Sequence, residues 1–222
     1  MSVAAILAQP ETTGPVVLTA KTLAVSGILL LLGGVLLAFY LTGPKSPVRS
    51  TVDFVVTLPL VFPPIATGFF LLLLLGRKGV FGKMLPVDMI FSFTGVVIAS
   101  VIAGMPLMVK PVEAALRGEV QRLAEVARVL GKNEWQVFWQ VLLPNVRRSV
   151  LSGWFLAMGR SLGEVGITLM LGGNIIGKTN TLSLEIYNAV FSGEFDRALV
   201  LSGIIGLFSL GIFFMLKRLS AL

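Results

Sequence analysis

Two stretches of the sequence hold residues of the right type and spacing for chemistry. Gly172–Thr179 reads GGNIIGKT: a glycine, four free positions, Gly-Lys and Thr, which satisfies the spacing of a phosphate-binding loop. Arg160 and Glu164 stand four apart in an otherwise uncharged run, so on a helix they share a face and can pair. The first stretch would bind a nucleoside triphosphate. The second would form a structural ion pair or offer positive potential to an anion. Histidine and cysteine are both absent, which removes the commonest neutral-pH general base, the commonest metal ligand and any thiolate site. No catalytic residue is assigned on these grounds, and no metal or cofactor is expected.

The elements that must position these residues lie in a membrane. The 222 residues are 55% hydrophobic and 13% charged, whereas soluble domains average about 45–50% apolar and about 25% charged. Four uncharged runs reach the roughly 20 residues that a bilayer crossing needs: Thr22–Leu41, Phe54–Gly76, Met89–Val109 and Ala198–Leu216. A fifth, Ser149–Gly173, is interrupted only by Arg160 and Glu164. Five spans are therefore expected, preceded by an external tail over residues 1–15. The formal charge of +7 reads as basic cytoplasmic loops facing membrane lipid rather than as a nucleic-acid surface.

The connection from Lys110 to Arg148 carries seven basic residues against four glutamates and is the most basic in the chain. It is expected to be cytoplasmic, which places the N-terminus outside and the C-terminus inside. GGNIIGKT then falls outside, after an apolar run rather than after a buried strand. A phosphate-binding loop needs a strand before it and a helix after it. The stretch is expected to be an external loop whose glycines permit its turns, and the chain is not expected to hydrolyse ATP. Ser183–Phe191, with Glu185, is too short to be a sixth crossing.

Leu123–Pro144, LAEVARVLGKNEWQVFWQVLLP, carries the sharper signal. Leu123, Val126, Ala127 and Leu130 repeat at helical spacing, and Gly131 interrupts them. Asn133 can cap the next helix with Gln136 bonding back. From there Trp135, Phe138, Trp139 and Leu142 form a stripe, and Pro144 is expected to end the helix. Such a stripe serves equally to sit in lipid headgroups or to dock a partner.

Glu125-x-Ala127, then Gly131, then Val141-x-Leu143-Pro144 resembles the signature of ABC importer permeases, with Val126 and Val141 as conservative departures. In that family the segment, here within residues 119–146, is a coupling helix docked on a cytoplasmic ATPase subunit. The resemblance implies contact roles for Glu125, Ala127, Gly131, Trp135, Phe138, Trp139, Leu143 and Pro144. LPLVFPPIATGFFLLLLLGRKGVFG (Leu58–Gly82) and RSLGEVG (Arg160–Gly166) are similar to permeases of molybdate and tungstate importers, and less closely to sulfate importers. It implies an all-α integral membrane fold, the type I ABC importer transmembrane domain, over residues 16–220. It further implies a homodimer, an ATPase partner, an external oxyanion-binding protein, and alternating access.

Pro63 and Pro64, with Pro59, remove donors inside the second span, which must kink or break. Broken helices persist in a bilayer only where protein or a water-filled cavity satisfies the backbone. Arg160, Glu164, Pro63 and Pro64 are therefore the candidates for the translocation path. A channel or secondary transporter would explain the spans but not the Glu125–Pro144 spacing. A membrane-embedded enzyme would have only Arg160 and Glu164 to work with, and a membrane-bound NTPase would rest wholly on GGNIIGKT.

Overall fold

The computed structural model describes residues 10–83 and 89–221, and these are helices joined by turns with no β-strand among them. Helix α1 (Pro10–Leu41) is followed by α2 (Pro47–Val61), α3 (Pro64–Leu75) and α4 (Phe93–Leu116). A hairpin of α5 (Glu119–Val129) and α6 (Glu134–Val137) comes next, running through one π-helical turn (Phe138–Leu142) into α7 (Leu143–Leu162). Three helices complete the chain: α8 (Gly166–Gly172), α9 (Leu182–Phe191) and α10 (Phe195–Ala221). Helices α1, α4 and α10 are each continuous, long and apolar enough to cross a membrane.

The two remaining expected spans are each broken in two. The second becomes α2 and α3, separated at Phe62 and Pro63, while Pro59 stays inside α2. Pro64 opens α3, where a missing N–H leaves no bond unmade. The fourth becomes α7 and α8, interrupted over Gly163–Val165, a break not foreseen. The third begins at Ser92, whose hydroxyl caps the helix, and runs past its expected end to Leu116. It can do so because Lys110 pairs with Asp53 and with Glu113, so the charged turn is neutralised. Residues 10–15, expected as tail, are helical and belong to α1, with Glu11 paired to Arg197; residues 1–9 lie outside the described residues.

Helix α4 is the centre, packed against α7, α1, α8 and α2. Small residues let α4 and α7 approach: a Cβ on Gly104 would stand 3.0 Å from the Ala157 carbonyl oxygen. One on Gly153 would stand 3.0 Å from that of Met108. In lipid, where apolar burial gives little drive between helices, such close backbone contact holds a bundle together. Hydrogen bonds cross the same joints. Ser161 Oγ donates to the Ser100 carbonyl at 2.8 Å, and Trp154 Nε1 to that of Gly27 at 2.8 Å. Arg117 Nη2 donates to the Leu41 carbonyl at 3.1 Å and so caps α1. Helix α10 packs mainly on α9 and α7 and turns Leu207, Phe208, Phe213 and Phe214 outward, as a lipid-facing helix does.

Candidate functional site

The hairpin between α4 and α7 is built around one backbone feature. Gly131 has φ +81°, a left-handed conformation, and no atom lies within 4 Å of where its Cβ would be. Glycine stands there for its backbone, not for space. Asn133 then caps α6: its side chain accepts the Gln136 N–H at 2.8 Å, while Gln136 Oε1 accepts the Asn133 N–H at 3.1 Å. Both bonds of the expected capping box are present.

Two side-chain clasps fix the turn. Arg128 Nε meets Glu134 Oε1 at 2.6 Å and its Nη2 meets Oε2 at 3.0 Å, a forked pair spanning Gly131. The hydrogen bonds from Arg128 hold the Glu134 carboxyl below its ordinary range, and those to Glu134 push the guanidinium up. Lys132 Nζ donates to Gln140 Oε1 at 2.6 Å. The opposite charges flanking a glycine turn were a readable signal for the first clasp.

The apolar spacing of α5 does not mark an inward face. Ala124 and Ala127 are buried, whereas Leu123, Val126 and Leu130 are exposed, with Val129. The small residues pack on the bundle because they admit close approach, and the larger ones point away from it. On the other limb Trp135 is 70% exposed and Trp139 50%, while Val137 and Leu142 are buried. Phe138 anchors the aromatic group, 4.7 Å from the Phe39 ring on α1 and 5.3 Å from that of Trp139. Trp135 and Trp139 stand edge to face at 5.6 Å. A groove of about 990 Å³ runs beside this group, lined by it and by the end of α1.

Pro144 does not end the helix. The Leu143 N–H reaches back to the Phe138 carbonyl, one residue further than in an α-helix, and Pro144 enters α7 in its first turn. A proline is tolerated there because the π-helical turn before it has already left the regular α-helical ladder, so its missing N–H breaks no run of such bonds. The hairpin is thereby continuous with the membrane-embedded α7, and Leu143 and Pro144 lie at the junction.

The path candidates converge on the two breaks. Gly166 opens α8 directly against the start of α3: a Cβ on it would stand 2.9 Å from Ile65 N and 3.0 Å from Pro64 Cβ. Gly68 meets α8 equally closely, at 2.9 Å from Ile167 Cα. Arg160 Nη1 and Glu164 Oε2 pair at 2.5 Å, with the Glu164 side chain 1% exposed and that of Arg160 31%. Glu164 Oε1 also accepts the Ile167 N–H at 2.7 Å, capping α8. A broken helix inside a bilayer needs such a group to satisfy its backbone, and Glu164 supplies it.

GGNIIGKT is a closed loop. It follows α8, Gly173 and Gly177 have positive φ, and Thr179 Oγ1 donates to the Gly172 carbonyl at 2.7 Å while accepting the Ile175 N–H. The N–H groups of Lys178, Thr179 and Asn180 all turn onto the Ile175 carbonyl. They are spent on the loop itself and cradle no phosphate. Nearby, Glu185 on α9 is buried and paired with Arg197, with Asn180 and Asn188 donating to it. Nothing in the local pattern of α9 announced this cluster, since Arg197 comes from the next helix.

Comparison with known proteins fits this architecture. Residues 30–218 match the family model described as binding-protein-dependent transport system inner membrane component. The chain belongs to that family. It is 34% identical over 203 residues to the molybdenum transport system permease protein ModB of Azotobacter vinelandii, covering 90% of each chain. It is also 34% identical over 181 residues to the chloroplastic sulfate permease 2 of Chlamydomonas reinhardtii, covering 80% of this chain and 49% of that one. In fold it is similar to a bacterial ABC transporter involved in the import of the acidic polysaccharide alginate. The TM-score is 0.71 at 19% identity, over 98% of this chain and 80% of that one. The all-α fold is that of an ABC importer transmembrane domain, and membership implies an ATPase and a substrate-binding protein as partners.

Proposed function

We propose that this chain is the permease subunit of an ATP-driven importer that moves molybdate or tungstate across the cytoplasmic membrane. The observation that carries the reading is 34% identity to a molybdenum permease across nine-tenths of both chains. In this reading the α5–α6 hairpin is the coupling element. Its exposed Leu123, Val126, Leu130, Trp135 and Trp139 form the surface that an ATPase subunit covers, and the α6–α7 rod carries its movement into the membrane. ATP is hydrolysed in that partner and not in GGNIIGKT. The N-terminus lies outside, the C-terminus inside, and the binding protein is received at the outer end near Gly172–Arg197. Two copies enclose the path, because five spans are few to surround an anion, and the apolar Phe54, Val61, Phe69 and Phe70 on α2 and α3 remain uncovered in one copy.

A sulfate importer is the second reading, favoured by the similarity to sulfate permease 2. Molybdate and sulfate are both tetrahedral dianions, so the test is competition. The permease is co-expressed with its ATPase and binding-protein partners, and uptake of labelled molybdate is measured against excess sulfate and excess tungstate. Inhibition by tungstate but not by sulfate supports the first reading; inhibition by sulfate alone supports the second. Purification of the chain from its own membranes tests the coupling element, since an ATPase should accompany it.

A further inference from the structure

A small polar cavity lies deep in the bundle, where α1, α4, α7, α8 and the entry to α9 meet. It measures about 10 Å³, and most of its lining is hydroxyl-bearing: Thr19, Thr22, Ser100, Ser161, Thr168 and Thr181. Glu164 closes one side. Each of these residues is more than nine-tenths buried. A concentration of hydroxyls is unexpected in a chain whose helices otherwise meet through alanine, glycine and leucine.

Several of the hydroxyls have fixed partners. Thr19 Oγ1 accepts the Leu182 N–H at 2.8 Å, Ser161 Oγ donates to the Ser100 carbonyl at 2.8 Å, and Thr181 Oγ1 accepts the Leu184 N–H at 3.4 Å. Thr22 Oγ1 is different: it is buried and makes no hydrogen bond within the protein. An unpaired buried hydroxyl is destabilising, and native proteins satisfy such groups with protein or with water.

Volume and charge together decide what the cavity takes. About 10–15 Å³ of this kind of space holds one water, provided that two to four polar partners surround it. A monovalent cation would fit by size, but the one carboxylate present is already neutralised by Arg160 at 2.5 Å. A cation there would be desolvated without a counter-charge, which is strongly unfavourable. We propose that this cavity is the binding site of one internal water molecule, which bonds the Thr22 hydroxyl and ties α1 to the α7–α8 break. Arg160 would then hold Glu164 from one side and the water would hold the break from the other.

Two measurements on the full chain in mild detergent test this. Brief X-ray radiolysis makes hydroxyl radicals from bound water, and these oxidise the side chains beside it. Leu162 lines the cavity and is 4% exposed, so bulk radicals do not reach it. Oxidation of Leu162 in the wild type, reduced several-fold in Thr22→Val, is expected; no oxidation of Leu162 in the wild type overturns the proposal. The second measurement is the sign of a stability change, with Thr22→Ser as the hydroxyl-retaining control. If water occupies the site, Thr22→Val deprives it of a partner, and Tm falls by about 2–4 °C. If the cavity is dry, the same change removes an unpaired hydroxyl and Tm rises, which overturns the proposal. A Tm that depends on sodium rather than N-methylglucamine also overturns it, in favour of a cation.

Discussion

Arg128 and Glu134 grip each other across Gly131 through two hydrogen bonds of 2.6 and 3.0 Å, joining the helices on either side of a left-handed glycine. This geometry makes the hairpin a stiff element rather than a loop. Stiffness is what a segment needs if displacement at its tip is to reach α7.

Substitution at Gly131 follows from its φ of +81°. Alanine meets no atom but must adopt a left-handed conformation, at about 1–2 kcal/mol. Since 1.4 kcal/mol is tenfold in an equilibrium, Gly131→Ala should weaken ATPase association by about 5- to 30-fold. Asparagine tolerates the conformation, so Gly131→Asn should stay near wild type. Proline, fixed near −65°, should abolish association. Quantitative co-purification of the ATPase with each variant checks the order.

The Arg128–Glu134 clasp gives the hairpin an acid limit. The Glu134 carboxyl is depressed by Arg128, so the stabilisation it gives is complete above the ordinary glutamate pKa of about 4.3. It is lost as pH falls through the lower value of the folded state. With Trp139 and Trp154 replaced by phenylalanine, fluorescence of Trp135 should change only below the ordinary glutamate range. Glu134→Gln should remove that transition, and a wild-type transition near neutrality would contradict the assignment.

Glu164 both neutralises Arg160 and caps α8. Breaking a buried pair by removing one member costs about 3–5 kcal/mol, so Glu164→Leu should lower Tm sharply. Arg160→Met combined with Glu164→Gln removes both charges while leaving an oxygen for the Ile167 N–H. The double variant should recover most of the lost stability and keep uptake within a few-fold of wild type. Loss of uptake at wild-type Tm would instead assign Arg160 to the anion path.

Gly166 sits where α8 meets α3, with backbone rather than a flexible side chain beside it. Crowding of this kind costs about 1–3 kcal/mol. Gly166→Val should lower Tm, and Gly163→Ala, whose nearest neighbour is 4.0 Å away, should not. Thermal melts of the two variants side by side check this.

Much of this molecule was legible in its sequence because the relevant interactions are local. The Asn133–Gln136 capping box, the Arg160–Glu164 pair and the break at Pro63 each depend on residues within a few positions of one another. What escaped was set by tertiary context. Periodicity located an apolar face on α5 but could not say that Ala124 and Ala127 pack inward while Leu123 and Val126 point out. Gly163 and Gly166 are visible as glycines, yet that one helix stops and another starts between them depends on Glu164 and on Pro64 across the bundle. Pro144 looked like a terminator because the π-helical turn that absorbs it has no signature in composition. The burial of Glu185 is fixed by Arg197, twelve residues away.

In the proposed function this chain carries an oxyanion using ATP spent by another subunit. The direct measurement is uptake of labelled molybdate into proteoliposomes that hold the chain with its ATPase, binding protein outside and ATP inside. Uptake should require all three proteins and ATP, and Gly131→Pro should abolish it while leaving the chain folded. Molybdate entry without the ATPase, or ATP hydrolysis by the purified chain alone, would contradict that function.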